Sequence, residues 1–131
     1  MEQRLSTPPE PAARESEILN RLLALYEEER QVYSRVQELT QNQLDQVRQG
    51  APLADVRRIL TKKKACLEVI GRLEMTEGHT KNTWAQGRHR WSGSSKARLH
   101  EALQVVTGLI EDILATEEKC DMYLIEQARG V

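Results

Sequence analysis

The chain has 131 residues, of which 30% are charged and 4% aromatic with no Phe, and its net charge is −1. That length suits one domain, and so small a net charge removes any global pull toward nucleic acid or acidic membrane. The scarcity of bulky rings argues against an aromatic-centred globule and for narrow stripes of Leu, Ile, Val and Ala in a thin bundle.

Residues 1–13 include Thr7-Pro8-Pro9-Glu10-Pro11 and carry no apolar period, so they are expected to form a disordered, Pro-rich tail. Residues 14–131 are expected to make a single helical-bundle domain. The first helix is placed over 14–49, with its seam at Ile18, Leu22, Leu25, Val32, Val36 and Leu39. Leu19, Tyr26, Tyr33 and Val47 flank that seam, while Glu29 and Gln43 interrupt it. Gly50-Ala51-Pro52 combines a helix stop with a proline suited to the next first turn. So short a connection turns the second helix back antiparallel on the first.

The second helix carries Val56, Ile59, Leu60, Cys66, Leu67, Ile70 and Leu73 and is expected to end near Gly78. Lys63 falls on its stripe, where its methylenes cover core while the ammonium snorkels out. A sharper alternative pairs Lys63 with Glu29 as a register-setting ion pair. Residues 79–95 then read as a basic, Trp-containing connector. From 79 to 98 the chain holds Lys81, Arg88, Arg90, Lys96 and Arg98, both tryptophans (Trp84 and Trp91), and no acidic residue.

A third helix follows over 95–127, capped by one of the serines at 92, 94 or 95. Its seam is the most regular: Leu99, Leu103, Val106, Ile110, Ile113, Glu117, Cys120, Leu124. The expected fold class is therefore all-α, an antiparallel, coiled-coil-like bundle of three long helices.

No residue pattern asks for catalysis. The sequence has no Gly-rich phosphate loop and no nucleophile elbow, so no enzyme activity is expected. His79, His89 and His100 show no metal-ligand spacing with each other or with Cys66 and Cys120, so neither metal nor cofactor is expected. The two cysteines fall on apolar stripes as small hydrophobes, and with no signal-like or membrane-spanning segment the expected location is cytoplasmic. Arginines and tryptophans in the connector permit a nucleic-acid reading, set against a nearly neutral chain without a recognisable nucleic-acid module.

The last helix offers more. Met122-Tyr123-Leu124-Ile125 is a run of four apolar residues, of which one seam uses only one or two. Either a three-helix core needs so broad a face, or one flank is left for a partner helix. On the second reading Leu109, Met122, Tyr123 and Ile125 are the partner-binding candidates.

Two stretches carry a family resemblance. The first helix reads Leu22-Leu23-Ala24-Leu25-Tyr26-Glu27-Glu28-Glu29-Arg30-Gln31-Val32-Tyr33. The second reads Val56-Arg57-Arg58-Ile59-Leu60-Thr61-Lys62-Lys63-Lys64-Ala65-Cys66-Leu67 and continues Ile70-Gly71-Arg72-Leu73-Glu74. In this phrasing the chain resembles bacterial flagellar export chaperones of the FlgN type, over residues 15–75 and more loosely 99–127. The resemblance implies a cytoplasmic type III secretion chaperone. Such a protein binds the amphipathic helices of flagellar hook-associated subunits and prevents their premature assembly. The alternatives are a self-associating structural or adaptor coiled coil, including a homodimer, and a nucleic-acid-binding bundle.

Overall fold

The computed structural model describes residues 11–130. These form three long helices and one short one: α1 (Pro11–Arg48), α2 (Leu53–Thr76), α3 (Gly78–Gly87) and α4 (Gly93–Ala128). The bulk of the expected tail lies outside the described residues. Its last three residues belong to α1, which opens on Pro11, where a missing N–H costs nothing and the fixed φ already suits a helix. At 38 residues α1 is a rod of ~57 Å, given a rise of ~1.5 Å per residue.

Gly50 closes α1 in the left-handed region, at φ 69°. Its N–H donates to Val47 O at 3.2 Å and Ala51 N–H to Gln46 O at 2.9 Å, which satisfies carbonyls that the helix end leaves free. The chain then reverses. Lys63 meets Gln43 close to the turn and Arg21 meets Glu77 far from it, so α1 and α2 run in opposite directions.

The end of the second helix differs from expectation. Gly78 does not terminate helical structure but begins α3, so the expected connector over 79–95 is largely a fourth helix. The joint is at Glu77, whose N–H still reaches back to Leu73 O while its carboxylate accepts from Thr80 Oγ1 at 2.7 Å. The ring of Trp91 then stacks on Trp84 with centroids 5.2 Å apart and planes 14° apart, and its Nε1–H donates to Trp84 O. Gly87 is required under that stack: a Cβ there would lie 2.5 Å from Trp91 Cζ2.

Ser92 caps α4 by accepting from Ser95 N–H at 3.2 Å. Glu15 of α1 fastens this cap, accepting from Ser92 N–H at 2.8 Å and from the Ser92 and Ser95 hydroxyls at 2.7 Å each. Those hydrogen bonds, Ser95 foremost, hold the Glu15 carboxyl below its ordinary pKa. At the far end Gln127 Nε2 donates to Val47 O, and midway Gln37 donates to Asp112. Cross-links joining start to start and end to end make α4 parallel to α1.

The spine is α1. Leu19, Leu22, Leu25 and Tyr26 form one buried cluster with Leu99 and Val106 of α4, and Leu73 and Trp84 pack against it. The helices α2 and α4 each rest on α1, and no Cα of one lies within 8 Å of a Cα of the other; the Lys63–Glu117 ion pair spans the space between them.

The polar residues that interrupt the seams meet in two layers. Buried Lys63 donates to Gln43 Oε1 at 3.0 Å and pairs with Glu117 Oε2 at 3.6 Å, so its partners are not Glu29 and its ammonium does not snorkel free. Glu29, only 2% exposed, instead faces the carboxyl of Glu74 near Lys81. Burial and that second carboxyl raise its pKa to about 7. Burial pulls the Lys81 ammonium the other way, but its 2.6 Å bond to Glu74 and the Tyr26 ring below it outweigh this and hold it up.

Candidate docking face

Heptad phase decides which side chains share a face, because residues seven apart superpose along packed helices. On α2 the row Val56, Lys63, Ile70 is buried against α1. The neighbouring row, Leu53, Leu60 and Leu67, is 45–59% exposed. On α4 the row Leu99, Val106, Ile113, Cys120 is buried. The row turned from it toward α2 contains Glu117, the residue that reaches Lys63, together with Leu103 and Leu124, which are 37% and 38% exposed.

Because α2 and α4 are antiparallel, these two rows point at one another across the gap between the helices. They are half-exposed because the gap does not close. Further outward, on the crests beside the groove, stand Met75 of α2 and Leu114 and Ile125 of α4, each at least 50% exposed. Among the exposed large apolar side chains of the described residues only Val105, Met122 and Tyr123 lie elsewhere by phase. The unpartnered apolar surface is thus gathered on one side of the molecule, opposite α1. Contiguous surface of this kind marks a site of association.

The structure does not bring the four sequence-predicted partner residues together. Ile125 lies on the crest beside the groove. Leu109 is half-buried on the flank that α4 turns to α1. Tyr123 also faces α1, with its ring 5.3 Å from the Arg48 guanidinium carbon, and with Met122 it borders a shallow pocket of about 320 Å³ beside Lys119 and Glu126. Leu60, Leu67, Leu103 and Leu124 belong to the seams by sequence and are instead the half-open rows of the groove. The signal was present as a second heptad row beside each buried one, but two adjacent rows in one sequence do not say which is covered.

A second concavity, of about 730 Å³, lies at the other end of the bundle, where α1 meets α3 and the cap of α4. Arg14, Arg21, His79, Arg90 and Trp91 line it, with Glu15 and Glu17 among them. Its acidic side chains are partly engaged: Glu15 holds the α4 cap. The tryptophans of the basic segment stack on each other, and Trp91 also forms part of the wall of this concavity. Both cysteines are free thiols, Cys66 half-buried and Cys120 buried, and burial pushes the Cys120 thiol up. Among the described residues there is no cluster of three metal-ligating side chains, and no helix is long and apolar enough to cross a membrane.

No protein-family model, curated protein or solved structure matches the chain.

Proposed function

We propose that this protein is a helical binding module that shelters amphipathic helices of a client protein on the α2–α4 face. The observation that carries this is the gathering of Leu53, Leu60, Leu67, Leu103 and Leu124 around a gap that α2 and α4 leave open. An amphipathic helix with an apolar residue every third or fourth position fits such a groove, because both are ruled with the same period. Covering the client's apolar face removes the surface that drives its own association. The resemblance to FlgN-type proteins supports reading the module as a secretion chaperone, with flagellar hook-associated subunits as clients.

The test is affinity capture from a flagellated bacterial lysate with the purified chain as bait. Wild-type protein is expected to retain hook-associated or filament subunits, and Leu60→Asp/Leu67→Asp to lose them while keeping its helical circular dichroism. A parallel bait, Met122→Asp/Tyr123→Asp, separates the groove from the end of α4. Retention unaffected by the groove substitutions would overturn the assignment of the face.

A further inference from the structure

The α2–α4 face is wider than one docked helix and is charged unlike on its two halves. A single helix lying in the groove covers Leu60 and Leu67 but leaves the crest residues Met75, Leu114 and Ile125 in water. Two helices side by side cover both sets. The crest of α2 carries Arg57 and Lys64, with Glu68 as its one acid, whereas the crest of α4 carries Glu111, Glu118 and Asp121. All six are exposed, and none has an ion-pair partner among the described residues.

The Lys63–Glu117 contact fixes the relative height of the two helices. In antiparallel helices it puts Arg57 level with the turn containing Asp121, and Lys64 level with the stretch between Glu111 and Glu118. Basic and acidic stripes therefore run side by side at one height. A twofold axis parallel to the helices preserves height and exchanges left for right, so it lays each stripe on its opposite. It also sets Leu60 and Leu67 of one chain over the α4 half of the other. A twofold axis across the helices would lay like on like.

We infer that the free protein covers this face with a second copy of itself. The two chains pack α2–α4 face to face about an axis along the bundle, with each α2 antiparallel on the partner's α4. Arg57 then meets Asp121 of the other chain and Lys64 meets its Glu111 and Glu118. Glu68 approaches Glu111 and is the one like-charge contact of the arrangement. This inference rests on the reading of the α2–α4 face as a docking surface and names what occupies it before a client arrives. A closed twofold dimer is the common solution for a self-complementary patch.

Light scattering after size exclusion is expected to show a mass near twice 15.0 kDa for the wild type. Arg57→Glu/Lys64→Glu makes both stripes acidic, and Glu111→Lys/Glu118→Lys/Asp121→Lys makes both basic. Each variant alone is expected to associate at least ~100-fold more weakly, since like charges are brought together across the contact. An equimolar mixture of the two is expected to recover a dimer, because each then offers what the other lacks. All five substituted side chains are exposed, and unchanged circular dichroism verifies the fold. A monomeric wild type, charge variants that remain dimers, or a mixture that stays monomeric overturns the proposal. Client capture lost in Leu60→Asp/Leu67→Asp by an otherwise monomeric protein would sink the dimer and leave the docking face standing. Capture unaffected by those substitutions would remove the docking face itself.

Discussion

Single residues in this bundle matter most where a polar group sits in a seam. Glu29 has a folded pKa of about 7 against an ordinary 4.5, so between those values the folded protein holds a proton that the unfolded chain has lost. The stabilisation from that proton is full below about 4.5 and disappears as pH rises through 7. Thermal melts of the wild type should therefore fall in midpoint from pH 5 to pH 8, and Glu29→Gln should flatten that slope by up to ~3 kcal/mol at ~1.4 kcal/mol per pKa unit. Glu15 and Glu77, both held below the ordinary carboxyl range by hydrogen bonds, act in the opposite sense and only below that range, so the two trends separate. Gly87 is a steric case. Gly87→Ala places a methyl into the Trp91 ring and should cost ~1–3 kcal/mol, with loss of the near-ultraviolet signal of the stacked tryptophans. Sequence alone showed Glu29, Gln43 and Lys63 as breaks in the seams but not their pairing, because a buried ion finds its partner through register, which no local pattern encodes.

Among the elements, the three long helices were legible because apolar periodicity and punctuation agree at Gly50-Ala51-Pro52 and at the serine run over 92–95, of which the structure uses Ser92 as the cap. The short helix α3 was not legible. Its ten residues carry no clear stripe, and the basic charges and tryptophans that suggest a connector are compatible with a helix onto whose end the following Trp91 folds back. Ser92→Ala should weaken the α4 terminus by ~1 kcal/mol, read as a drop in chemical-denaturation midpoint. Gly108 offers the reverse. It sits in the middle of α4 with nothing within 4 Å of an added Cβ, so Gly108→Ala should stabilise the protein by ~0.5–1 kcal/mol. The candidate face was legible only in part: both heptad rows of α2 and α4 are visible in the sequence, but the width of the gap between the helices is set by how each leans on α1.

At the scale of the whole molecule, α1 is, among the described residues, the only element in broad contact with both other long helices. Amide exchange should accordingly be slowest in the middle of α1 and fastest in the last turns of α4, where every residue from 121 to 130 is exposed. The parallel seating of α4 on α1 has a consequence for how the chain comes into being. The contacts Glu15–Ser92, Gln37–Asp112 and Val47–Gln127 join residues separated by 75–80 positions at both ends and in the middle. During synthesis the α1–α2 hairpin can therefore zip up early from its tight turn, while the other flank of α1, with Leu19, Tyr26 and Val47, stays bare until α4, 75–80 positions downstream, has been translated. A nascent chain of this protein is thus itself a client, with a sticky helix exposed on the ribosome until α4 has emerged.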